Sequence, residues 1–122
     1  PSIEMLYGDF QILDSLKLTN VNPDFSTEEK VGFYCKFNKD VNWKISIRGK
    51  TSKSIKELSG FSSIIDSNSV KWNGNTSKVP FFGKEKCTIE LTVKNESDTF
   101  FYQSLQKIRH IVLQKSMQEE II

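Results

Sequence analysis

The stretch VGFYCKFNKDVNWKISIR, residues 31–48, decides how this chain is read. Val31, Phe33, Cys35 and Phe37 alternate with Gly32, Tyr34 and Lys36, and after Asn38-Lys39-Asp40 the alternation resumes at Val41, Trp43, Ile45 and Ile47. A period of two lines one face of a pleated strand, so each half reads as a strand with one buried side. With only three polar residues between them, the halves are expected to fold back on one another as an antiparallel hairpin.

The same pattern extends outward in both directions. Cys87, Ile89, Leu91 and Val93 alternate with Thr88, Glu90, Thr92 and Lys94, a second firm strand. A first strand is expected over Asp9 to Leu18, with Leu13 out of phase and a bulge to accommodate it. The connection TNVNPDFSTEEK is rich in turn formers. Residues 49–60 are polar, with Ile55 and Leu58 three apart, and fit a short edge strand or one helical turn. Ser63 to Trp72 reads as a weaker strand, and Asn95 to Asp98 as a turn. Residues 99–115 fit strand or helix; the β-leaning His110 to Leu113 favours a final strand from about Lys107 to Lys115, then a frayed tail.

Composition points the same way. The chain of 122 residues contains no alanine, the best helix former, while β-branched residues and phenylalanine are plentiful. Short strands separated by turns in one domain-sized chain predict an all-β sandwich of about seven antiparallel strands, residues 1–122 forming a single domain. The chain opens on Pro1 rather than Met, which reads as a processed or excised piece of a longer protein. No apolar run is long enough for a membrane span, so no membrane insertion is expected. A net charge of +2 is too small to call for a polyanion, and no nucleic-acid partner is expected.

Trp72-Asn73-Gly74-Asn75, a polar loop, Val79-Pro80 and a strand beginning near Cys87 form a turn motif. Over about Trp43 to Val93 it resembles the bacterial immunoglobulin-like module named after the flagellar hook-capping protein. Such modules carry a Trp-Asp/Asn-Gly-x-Asn/Asp signature entering a hairpin. The resemblance implies an immunoglobulin-like β-sandwich on a cell surface, outside the cell or in the periplasm, that spaces, assembles or binds without catalysis. It implies that Trp72 covers the sandwich edge and that Asn73-Gly74 supplies positive φ angles. Glu85 stands where the family's tyrosine would follow Gly83.

Cys35 and Cys87, with Trp43 between them, are similar to the Cys…Trp…Cys arrangement of immunoglobulin-like domains, which implies a Cys35–Cys87 disulfide. Two buried free thiols acting as small hydrophobes satisfy the pattern equally.

Sites for chemistry are sparse. Catalysis needs a converging nucleophile, base and orienting group, and the single histidine, His110, has no evident partner. No catalytic residue is assigned and no enzyme is expected; a carboxylate pair hidden in loops, as in glycosidases, is the remaining enzymatic reading. No Cys-x-x-Cys occurs and His110 has no spaced ligand, so neither metal nor cofactor is expected. Asp66-Ser67-Asn68 is too short for a calcium loop. Trp72, Phe82, Phe101 and Tyr102 are candidates for a binding surface, the alternative being that such aromatics plug the ends of the fold. The expected function is a structural or binding module making protein–protein contacts; the runner-up is a carbohydrate-binding module using those aromatics. The partner would be a protein or a surface polysaccharide. Lys44, Arg48, Lys50, Lys53 and Lys56 would gather on one hairpin, where lysines also protect sheet edges. Asn75-Thr76-Ser77 and Asn95-Glu96-Ser97 are glycosylation sequons.

Overall fold

Residues 31–48 do not fold back on themselves. In a computed structural model, which describes residues 10–76, 80–94 and 100–108 (the last as backbone alone), they form one continuous strand. The chain is all-β and antiparallel, with strands β1 (Ile12–Leu18), β2 (Val31–Gly49), β3 (Ile55–Ile65), β4 (Lys71–Trp72), β5 (Cys87–Lys94) and β6 (Phe100–Ile108). A single 3-10 turn, Phe25–Thr27, interrupts the β1–β2 connection.

The expected hairpin fails for a geometric reason. Two-residue hairpin turns of the favoured types need positive φ, and none of Asn38, Lys39 or Asp40 has it. These residues instead form an insertion within β2. Between Lys36↔Ile64 and Val41↔Ser62, five steps along β2 face two along β3, which leaves three extra residues. All three are exposed, and the buried positions on either side, Phe37 and Val41, stay in phase. The alternation therefore fits a bent strand as well as a hairpin.

β2 is the spine of the sheet. Along one edge it pairs with β4 at Val31 and Gly32 and with β3 from Cys35 to Arg48. Along the other it pairs with β1 between Phe33 and Phe37 and with β5 from Asn42 to Gly49, and β6 lies beyond β5. Straight, its nineteen residues would span roughly 60 Å. Yet Phe81 packs on Trp72, which is paired to Val31, while Glu85 bonds Thr51 and Ser52 just past Gly49. Five residues reach at most about 18 Å, so β2 must be strongly bent to bring its ends that close. One contiguous core results, joining Phe33, Cys35 and Phe37 of one arm to Trp43, Ile45 and Ile47 of the other and to Cys87, Ile89, Leu91 and Val93 of β5.

Other expectations are adjusted or met. β1 carries register shifts either side of Asp14, and Leu13 is turned out, as its phase requires. The segments read as 49–60 and 63–72 are divided differently: β3 crosses that boundary and only Lys71–Trp72 remain as β4. The reason lies in Trp43, whose ring lies against Gly60; a Cβ there would sit 2.6 Å from its Cζ2. A glycine and serines hold the strand because an aromatic from the neighbouring strand covers the gap. Six strands are present among the described residues, and the last begins at Phe100 rather than Lys107. The predicted turn at Asn95–Asp98 and the continuation past Ile108, with His110, lie outside the described residues.

Candidate functional site

Trp72 is 1% exposed, which removes it from any binding surface. Its ring meets Phe25 and Phe81 edge-on, at centroid distances of 4.9 and 5.2 Å, and its Nε1 donates to the Asn75 carbonyl at 2.9 Å. The Trp-Asn-Gly-Asn turn wraps this anchor. Gly74 alone has positive φ, +94°, and Phe25 packs so close that a Cβ would lie 2.7 Å from its ring. Asn73 caps the turn by accepting the Asn75 amide on Oδ1 at 3.1 Å, without adopting positive φ itself. The motif turns a corner, but by burying its tryptophan rather than displaying it.

Of the four candidate aromatics, Trp72 is withdrawn into the core. Phe82 is half-buried beside the fully buried Phe81. The Tyr102 backbone lies opposite Val93, which pairs with Trp43 on the second arm of β2, and Phe101 falls in the irregularity between the Val93 and Lys94 pairings. The basic cluster disperses. Lys44 and Arg48 are exposed on the outer face of β2, whereas Lys56 lies opposite the buried Ile47 and so on the other face. Lys44 pairs with Glu57 at 3.4 Å.

Cys35 and Cys87 are free and buried. Cys35 Sγ donates to the Asp14 carbonyl at 3.2 Å on the β1 side, while Cys87 lies opposite Gly49 at the end of the second arm. The implied disulfide is thus absent from this structure. Burial pushes the Cys35 thiol up to about 11 and, aided by the charge of Glu85, the Cys87 thiol up to about 12. Both should resist alkylation in the native chain and react without reductant once it is unfolded. Alkylation that required prior reduction would overturn this. The unfolded thiols, near 9.0, would lose protons first. The contribution of the two thiols to stability is therefore fully present below about pH 9 and is lost as pH rises towards 11–12.

Glu85 is the residue that sequence reasoning noticed without assigning a role. It is 5% exposed, and its carboxylate accepts three backbone amides: Thr51 at 2.9 Å and Ser52 at 3.0 Å on Oε1, and Phe82 at 2.6 Å on Oε2. Ser54 Oγ donates to the Pro80 carbonyl alongside, and the Lys50 amide to the Lys86 carbonyl. Where the resembled family would put a tyrosine, this chain uses a buried anion to tie two loops together. Among the described residues every donor aimed at it is backbone, so it acts as a clamp.

What remains open to a partner is β3. Among the described residues it pairs with β2 alone, and it exposes Phe61 (57%), Ile55 (44%) and Ile64 (43%). The Gly49 amide donates to the Ser54 carbonyl at 2.9 Å, which sets the phase of the ladder. Lys56, Leu58, Gly60 and Ser62 therefore bond to β2, while Ile55, Glu57, Ser59 and Phe61 direct their backbone groups to the outer edge. The sequence offered a short edge strand over residues 49–60 as one of two readings, and the structure shows it as the longer β3.

Among the described residues no three His, Cys, Asp or Glu side chains group as metal ligands, and no helix is long and apolar enough to cross a membrane. Comparison with protein families, with curated proteins and with solved structures found no match.

Proposed function

We propose that this chain is a non-catalytic protein-contact module, an immunoglobulin-like sandwich in an exported or surface protein, that pairs a partner strand with the outer edge of β3. The observation that carries this reading is the eleven-residue β3, partnered on one side only among the described residues and bearing Phe61 at 57% exposure. Long, apolar edge strands are templates for strand addition, and soluble proteins usually blunt them. The placement in an exported protein rests on the Trp72–Asn75 turn motif alone, since the thiols are free.

A second copy of the chain fits this edge in one register. Antiparallel pairing about Leu58 sets Ile55 opposite Phe61 of the other copy, twice by symmetry, and Glu57 opposite Ser59. All four outward-directed residues of each strand then exchange backbone hydrogen bonds, and apolar–aromatic cross-strand pairs add to them. Sedimentation should show a dimer at high concentration that Phe61→Lys dissociates. Amide exchange should be slowed at Ile55, Glu57, Ser59 and Phe61 in the dimer, and restored in the variant. A monomer with rapid exchange at those amides at every concentration would sink the self-pairing reading.

A further inference from the structure

A concavity of about 490 Å³ is lined by Thr19, Glu28, Lys30, Gly32, Ser67, Asn68 and Lys71. Local chemistry builds it. Asp66 accepts the Asn68 amide on its side chain and the Ser69 and Val70 amides on its carbonyl, forming a tight turn after β3. Gly32 lets that turn descend, for a Cβ there would stand 2.6 Å from the Ser67 carbonyl. On the other wall Thr19 is fastened to β2, accepting the Gly32 amide on Oγ1 and donating its own amide to the Gly32 carbonyl. The lysines come from different segments: Lys71 is paired with Gly32, and Lys30 immediately precedes β2.

The lining is rich in uncommitted donors. Among the described residues neither ammonium has an ion-pair partner, and the Ser67 hydroxyl and the Asn68 side-chain amide have no hydrogen-bond partner. The Thr19 hydroxyl accepts from Gly32 and keeps its proton for another acceptor. Glu28 is the one carboxylate in the lining, so two lysines and one glutamate leave a single positive charge. The volume falls within the usual range for small-molecule sites, roughly 300–1,000 Å³, but the walls are polar, which disfavours an apolar ligand.

We infer that this cleft binds a hydroxylated monocarboxylate, such as a uronic acid unit of a saccharide. Lys30 and Lys71 would hold the carboxylate, Ser67, Asn68 and Thr19 would donate to ring oxygens and hydroxyls, and Glu28 would accept from a ligand hydroxyl. The single net positive charge matches one carboxylate, and Glu28 calls for a neighbouring hydroxyl donor of the kind a sugar acid carries.

The test is an amide-resonance titration of the ¹⁵N-labelled chain with sodium glucuronate, with glucose and inorganic phosphate as comparators. Glucuronate should shift the Gly32, Ser67 and Asn68 amides saturably at tens of millimolar or below, and more tightly than either comparator. The double variant Lys30→Gln, Lys71→Gln changes only exposed side chains, and its unperturbed spectrum reports its fold. Its affinity should fall at least roughly tenfold, as loss of charge-assisted hydrogen bonds demands. No saturable shift at those amides, equal or tighter binding of glucose or phosphate, or an affinity unchanged in the double variant would each overturn the inference.

Discussion

Trp72→Ala is expected to lower the free energy of unfolding by about 3–5 kcal/mol, the usual cost of truncating a large buried aromatic. Against a typical domain stability of roughly 5–15 kcal/mol, that is a large share of the whole. The cost should lie at the upper end because Trp72 joins separate segments. Phe25 of the β1–β2 connection and Phe81 of the loop before β5 both pack on its ring. The indole N–H satisfies the Asn75 carbonyl, so Trp72→Phe should recover part of the packing while leaving that acceptor without its donor. Chemical denaturation followed by the fluorescence of Trp43, which remains in the variant, measures both. A loss below about 1 kcal/mol would mean that the aromatic trio is not an anchor.

Glu85→Ala should cost about 1–3 kcal/mol by a different route. It leaves the amides of Thr51, Ser52 and Phe82 without their acceptor in a part-buried setting, where water can take over for the more exposed of them and the desolvation penalty falls on the rest. Glu85→Gln separates charge from shape. Its carbonyl oxygen can still serve Thr51 and Ser52, but its NH₂ would then face the Phe82 N–H, donor against donor. The glutamine variant should therefore recover only part of the loss. Amide exchange should accelerate at residues 50–54 and 80–86 in both variants. Both remove a charge that raises the Cys87 thiol, so that thiol should ionise at lower pH. Wild-type exchange rates in those two segments would show that Glu85 is not the clamp.

Much of this architecture can be read from the order of residues because burial imposes a period. Cys87 to Val93 alternate cleanly and form β5 as expected. Leu13, out of phase, marks the irregularity of β1, and the absence of alanine agrees with a chain almost without helix. Phe33, Cys35, Trp43, Ile45, Cys87, Ile89 and Leu91, all core positions by their phase, are all buried. Gly74 is legible as well, since a turn needing positive φ selects glycine.

The site was less legible because it depends on what lies opposite each residue. Trp72 looks like an exposed platform until Phe25, far away in the chain, is found against it. Lys56 reads as one of five clustered cations until the register with Ile47 turns it to the other face. Glu85 shows no local pattern at all, since two of its three donors come from residues more than thirty positions away.

The sequence alone determined which face of each alternating strand is buried and that the chain is β, because alternation is a local property of each strand. Whether Asn38-Lys39-Asp40 reverses the chain or bends it was decided only by the tertiary structure. Phe37 and Val41 share a phase either way, so the local pattern is the same in both. The choice depends on which distant strands claim the two edges of residues 31–49. β1 and β5 divide one edge and β4 and β3 the other, so neither arm of β2 is left to pair with its own other half.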